Sequence, residues 1–199
     1  MSEAGPTAAP RLALAMVHHP VVDKNGRVIA AALTPTDLHD LARSCRTYGV
    51  AACWMVTPLK DQIKLAERML GFWRTGVGAD YNPNRGQALD LIRLAASLDE
   101  AVAAQTAAFG QRPELWATAA RRGLGVKGER RLEFSDARDR LAGGRPTLVL
   151  LGTAWGLAPE VLEACDEILA PIEGAGEYNH LSVRSAAAVA LDRLLAQGR

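Results

Sequence analysis

The residues best suited to chemistry lie in two glycine-bearing stretches, each following an apolar run. Thr147-Leu148-Val149-Leu150-Leu151 feeds directly into Gly152-Thr153-Ala154-Trp155-Gly156-Leu157. The run from Glu167 to Ala170 feeds into Pro171-Ile172-Glu173-Gly174-Ala175-Gly176-Glu177-Tyr178-Asn179-His180-Leu181-Ser182. Glycine at the carboxyl end of a strand lets backbone come close to a ligand, and open α/β sheets bind at that end. Two such loops side by side would offer N–H and C=O groups to a polar planar ligand such as adenine. A loop after a strand needs glycine in any case, so both readings stand at this level.

Other chemical signatures are weaker. Gly123-Leu124-Gly125-Val126-Lys127-Gly128 has the GxGxxG spacing, but a dinucleotide site needs a helix beginning in those glycines. Glu129-Arg130-Arg131 follow instead, and no acidic strand end lies at the right distance. There is no GxxxxGK[ST] motif, His18-His19 have no partner set for a metal, and no metal is expected. Arg121, Arg122, Lys127, Arg130 and Arg131 form the densest basic stretch. It is either an arm that tracks phosphates, where each contact releases counterions, or a solvated loop.

The elements that must position these loops follow from periodicity. Apolar runs alternate with helix-period segments, as in a largely parallel sheet covered by helices. Leu12 to Val17, Val50 to Val56, Leu115 to Ala119, Thr147 to Leu151 and Glu167 to Ala170 read as strands, with a short extended piece at Val28 to Leu33 after the Asn25-Gly26 turn. A helix capped by Thr36 runs to about Tyr48 and stops at Gly49, and a second begins at Pro58. Gly76 to Gly86 is expected to be a loop, because it holds Gly78, Asn82, Pro83 and Asn84. Leu89 to Ala95 fits strand or helix. Ser97 and Glu100 form a capping box for a helix to Phe109, and further helices cover Ser135 to Leu141 and Leu181 to Ala196.

The 199 residues suit one α/β domain, and 23 basic against 22 acidic side chains exclude a polybasic tail or an acidic disordered chain. Cys45, Cys53 and Cys165 form neither a CxxC pair nor a disulfide framework, which points to buried thiols in a reducing cytoplasm. Residues 1–10 read as a disordered leader and 11–199 as a single domain. No apolar run approaches the roughly 20 residues a membrane helix needs.

Taken together, these residues resemble the SPOUT (trefoil-knot) methyltransferases. The likeness is to a bacterial family of SAM-dependent RNA methyltransferases related to the C-terminal domain of tRNA guanine-N1 methyltransferase. It runs from about Leu12 to Leu195 and is carried by His19-Pro20-Val21, Asp37-Leu38-His39-Asp40, Thr47-Tyr48-Gly49-Val50, Tyr81-Asn82-Pro83, Gly152 to Leu157, and Tyr178 to Ser185. The resemblance implies an α/β fold whose mostly parallel sheet has helices on both faces and a C-terminal deep trefoil knot. It also implies a homodimer, S-adenosyl-L-methionine as cofactor, and an RNA substrate, tRNA first and rRNA second.

By the same resemblance the cofactor sits among three loops, Thr118 to Arg121, Gly152 to Leu157 and Ile172 to Ser182. Its expected lining is Thr118, Ala119, Leu151, Gly152, Thr153, Gly156, Pro171, Ile172, Gly174, Tyr178, Asn179, His180, Leu181 and Ser182. Asp37 to Arg43, ending at Tyr48-Gly49-Val50, resembles the SpoU motif Asn-Leu-Gly-x-x-x-Arg followed by Phe-Gly-Val, which puts Arg43 on the functional arginine. Asp37 replaces that motif's asparagine and His39 its glycine. A further SpoU motif, Ser-Leu-Asn-Val-Ser, is altered to His180-Leu181-Ser182-Val183-Arg184. Methyl transfer is an in-line displacement that needs alignment and removal of a proton. The expectation is that Arg43 holds a phosphate or activates the acceptor, while Asp37, His39 or Glu177 handles the proton. A knotted SAM- or RNA-binding dimer without turnover, and a nucleotide-dependent α/β enzyme, are the rival classes.

Overall fold

The computed structural model describes residues 11–121, 123, 131–176 and 178–196. Among them seven strands form one parallel sheet in the order β5-β4-β1-β8-β6-β9-β7: β1 Leu12–Val17, β4 Cys53–Val56, β5 Ile92–Ala95, β6 Glu114–Ala117, β7 Arg131–Leu132, β8 Thr147–Gly152 and β9 Glu167–Leu169. A separate antiparallel ribbon joins β2 Val21–Val22 to β3 Val28–Ile29, just after a cis His19–Pro20 peptide.

Burial on both faces makes the central strands apolar throughout. In β1 the alternate residues Leu12, Leu14 and Met16 enter one core, and Ala13, Ala15 and Val17 enter the other. β8 divides likewise, with Val149 and Leu151 on the first face and Leu148 and Leu150 on the second. The first face is covered by α1 Pro35–Thr47, α2 Lys60–Arg74, α4 Pro83–Leu89, α6 Phe134–Ala142 and α8 Val183–Leu195. The second is covered by α5 Leu98–Phe109 and α7 Pro159–Glu163. The expected α/β class, parallel sheet and two helical layers are therefore observed.

Two expectations need correction, and one left open is settled. The first helix is capped by Thr34, not Thr36, because Asp37 reaches back to the Thr34 N–H at 2.9 Å and completes a capping box with Thr34. Residues 76–86 are not a loop: they hold α3 Val77–Tyr81 and α4. The turn formers there are helix punctuation, since Asn82 caps α4 and Pro83 occupies its first turn. Leu89 to Ala95 divides between the end of α4 and β5. Gly49 does end α1, at φ 69°. Of the GxGxxG stretch only Gly123 is described, and of the basic stretch only Arg121 and Arg131.

Candidate active site

Because β8, β6 and β9 are neighbours in one parallel sheet, the loops that leave them emerge side by side at one edge. They include residues 118–121, 152–157 and 172–182, the three loops expected to hold the cofactor. A cross-link joins two of them, for the Asn179 side-chain amide donates to the Ala120 carbonyl at 3.0 Å.

The 152–157 loop is closed by geometry that only glycine allows. A Cβ on Gly152 would lie 2.4 Å from the Leu157 nitrogen and 2.7 Å from the Gly156 carbonyl carbon. Gly156 has φ 113°, and Ala154 adopts the left-handed φ of 51°, which is costly for a residue with a Cβ. The small crest residues Ala154, Gly156, Gly174, Ala175 and Gly176 leave backbone as the main surface that a planar ligand would meet. This donor set fits the adenosyl group of S-adenosyl-L-methionine, which polar backbone and small side chains can accommodate.

Not every expected lining residue turns its polar atom toward that edge. Thr118 Oγ1 donates to the Leu150 carbonyl at 3.0 Å, and Thr153 Oγ1 to the Val17 carbonyl at 3.0 Å. Both hydroxyls tie the loops to neighbouring strands. Leu151 and Pro171 are buried, Ile172 and Ala119 are half-buried, and Tyr178, His180 and Leu181 are exposed. Tyr178 and His180 meet edge to face, 5.4 Å between centroids. Ser182 caps α8, accepting from the Ser185 N–H at 3.2 Å. Glu177 lies outside the described residues.

The residues expected to be catalytic divide between two surroundings. Arg43 is exposed and lines a groove between α1 and α8, with Ser44, Thr47, Ser182, Arg184 and Ser185. Asp40, the nearest acid on its helix, is taken by Arg184 at 3.2 Å. Among the described residues Arg43 has no ion pair. Asp37 is buried and fully engaged: one oxygen serves the α1 cap and the other accepts from Arg184 at 2.8 Å. His39 packs edge to face on Trp73 of α2 at 5.6 Å. Burial, then the neighbouring Arg85, lowers its pKa despite the opposing pull of Asp40.

Two departures from the resembled SpoU motifs thus meet in space. An aspartate where the motif has asparagine pairs with an arginine where the second motif has serine. Arg184 is the site residue that the sequence reading did not assign. Its partner lies 147 positions away, and the only available signal was that both positions depart from the motifs.

One more group at this edge has no sequence signal. His18, at the end of β1, is completely buried, and among the described residues neither ring nitrogen has a hydrogen-bond partner within normal geometry. Desolvation lowers its pKa against the pull of Asp37 and the Ala32 backbone.

A parallel sheet that gathers three loops over β8, β6 and β9, with a cationic groove beside them, is an α/β fold that solved methyltransferases share. The SpoU methyltransferase AviRb from Streptomyces viridochromogenes has this fold, with TM-score 0.56 over 94% of this chain and 60% of that one at 20% identity. The chain belongs to the SAM-dependent RNA methyltransferase family whose model matches residues 11–196, within the SPOUT group. A tRNA (guanine-N(1)-)-methyltransferase of Oleidesulfovibrio alaskensis is 45% identical over 181 residues, 91% of this chain. The chain spans only 41% of that relative's length. A protein of Aquifex aeolicus is 36% identical over 94% of this chain and 89% of its own length.

Proposed function

We propose that this enzyme methylates a tRNA nucleotide, with Arg43 orienting the acceptor through its phosphate or its reacting base. The observation that carries this reading is the Arg43 guanidinium in the α1–α8 groove, without an ion pair among the described residues and beside Ser182 at the end of the third cofactor loop. A guanidinium holds phosphate through paired N–H donors, and Ser44, Thr47 and Ser185 add hydroxyls in the same groove. S-adenosyl-L-methionine, when bound, supplies an electrophilic methyl and a neutral thioether leaving group. The protein's task is then alignment and acceptance of one proton. Asp37 is poorly placed for the proton because both its oxygens are engaged, so His39 and Glu177 remain the assigned acceptors. The loop positions from Thr118 to Ser182 named above hold the cofactor chiefly through backbone.

The Oleidesulfovibrio tRNA methyltransferase supports tRNA as substrate, across the two-fifths of that protein that this chain matches. A C-terminal knot is supported by strand order. β9 lies between β6 and β7 in the sheet, and the chain beyond β9 returns to bring α8 against α1 and α6. A homodimer would close the open α1–α8 groove. We also assign the chain from residue 11 onward to one domain, and a reducing cytoplasm, which the three unpaired thiols support. Among the described residues no helix is long and apolar enough to cross a membrane.

The test combines Arg43→Ala with titration calorimetry and nucleoside mass spectrometry of RNA from a deletion strain. The expected outcome is at least about a hundredfold loss of methyl transfer with cofactor affinity unchanged, the scale of one positioned catalytic group. Unchanged transfer removes Arg43 from the mechanism. A missing methyl in rRNA rather than tRNA reassigns the substrate, and failure to bind millimolar cofactor favours a scaffold without turnover.

A further inference from the structure

The β2–β3 ribbon is joined to the 152–157 loop at the same edge, and the methyl-transfer reading uses that loop's backbone but not the Trp155 side chain at its crest. Backbone bonds lace the two together. Val22 N–H donates to the Gly156 carbonyl at 3.0 Å, Trp155 N–H to Val22 at 3.0 Å, and Ala158 N–H to Pro20 at 3.2 Å. Val21 also faces Leu157 in an antiparallel bridge. Inside the crest Gly156 N–H returns to the Thr153 carbonyl at 2.9 Å.

This scaffold holds Trp155 outward with 58% of its surface exposed. Its indole N–H has no partner among the described residues. The other tryptophans are treated differently: Trp116 and Trp54 are buried and bonded to Glu114 and Gln105, and Trp73 packs against His39 and Phe72. A large ring on a pinned loop forgoes the burial that aromatic side chains ordinarily gain.

The ribbon adds charge. Asp23 Oδ1 accepts from the Asn25 N–H at 2.7 Å and the Arg27 N–H at 2.9 Å, so the acid of this turn is consumed by its own loop. Lys24 and Arg27 are exposed, and among the described residues neither side chain has an ion pair.

We propose that this unit is an RNA-recognition edge, in which Trp155 stacks on an unpaired base while Lys24 and Arg27 hold the flanking phosphates. The proposal rests on the RNA-methyltransferase reading but concerns recognition, not turnover. Unpaired RNA is recognised by stacking on aromatic rings, with cations tracking the backbone. A duplex keeps its bases stacked within the helix and offers the indole no free face, so the edge selects single-stranded segments.

The experiment measures binding of a short single-stranded RNA, and of the same sequence annealed into a duplex, to the full chain across a salt series. Trp155→Ala is expected to weaken single-strand binding about 5- to 150-fold, the range of one lost base stack, while Trp155→Phe retains most of it. Replacing Lys24 and Arg27 together by Ala should flatten the log–log salt slope by about 1.4, two phosphate contacts on a single strand. Cofactor affinity, thermal stability and elution volume should not move in any of these variants. Wild-type-like RNA binding by Trp155→Ala overturns the proposal, as does a wild-type protein that ignores single strands. A Trp155→Ala protein with altered cofactor affinity or altered oligomeric state also overturns it, because the indole would then serve the cofactor or a subunit contact. If no RNA proves to be methylated yet Trp155-dependent binding persists, the catalytic reading falls and the recognition edge stands.

Discussion

The two ends of the parallel sheet are built on opposite terms. At the amino ends charge is matched by charge: Arg145 meets Glu114 at 3.1 Å, Arg140 meets Glu167 at 2.7 Å, and Arg112 meets Asp166 at 3.2 Å. Asp166 also accepts the Leu115 N–H at 2.8 Å, and Arg11 donates to the Phe109 carbonyl. At the carboxyl ends Ala154 is left-handed, Trp155 and Tyr178 are exposed, and among the described residues buried His18 has no hydrogen-bond partner and Arg43 on α1 no ion pair. The strands between the two ends are equally well buried, so the difference belongs to what each end must do. Local rules are obeyed at the end where the sheet is only held together and broken at the end that carries the proposed site.

The largest expected effect comes from spoiling the carboxyl end where it is tightest. In Gly152→Ala the new methyl would meet the backbone of Leu157 and Gly156, which cannot rotate away as a side chain could. The loop must shift, at a cost of about 1–3 kcal/mol in stability. Calorimetry should show at least about a tenfold loss of S-adenosyl-L-methionine affinity. An unchanged affinity would detach this loop from the cofactor site.

The same contrast explains what the sequence disclosed. The apolar runs at Leu12, Thr147 and Glu167 became strands because a strand buried on both faces leaves a continuous signal. The glycine loops after β8 and β9 were legible for a related reason, since glycine at a strand end marks close backbone packing. Gly78 misled because its role is tertiary: a Cβ there would lie 2.7 Å from the rings of Phe72 and Trp73. It marks helix packing, not a turn. The Asp37–Arg184 pair, the orphaned His18 and the pinning of Trp155 all depend on contacts between distant segments, and no local pattern encodes them.

A smaller effect should appear on acidification. Desolvation lowers the folded-state pKa of His18 below its ordinary value of 6.5. In the unfolded chain the ring takes a proton near that value, so below about pH 6.5 the unfolded state binds more protons and stability falls as pH falls. The contribution is fully present above pH 6.5 and declines by at most about 1.4 kcal/mol per pH unit until the folded-state pKa is reached. Urea denaturation between pH 7.5 and 5 measures it. His18→Gln should lower overall stability yet flatten the slope, leaving the contribution of His39, which has the same sign. An unaltered slope in that variant would place the acid sensitivity elsewhere.

The smallest effect belongs to the amino end. Arg145 is more than half exposed and its partner Glu114 is also within 3.8 Å of Arg140, so loss of one cation leaves the acid still accompanied. Arg145→Ala should therefore cost no more than about 1 kcal/mol, with the cost shrinking further in high salt. Methyl transfer should not change, because the substitution acts at the end of the strands opposite the cofactor loops. Chemical denaturation at two salt concentrations, alongside a methylation assay, checks both halves. A large loss of activity at preserved stability would mean that strain at one end of β8 is transmitted along the strand to Gly152. The two ends would then be a single mechanical unit, and their separation into scaffold and site would fail.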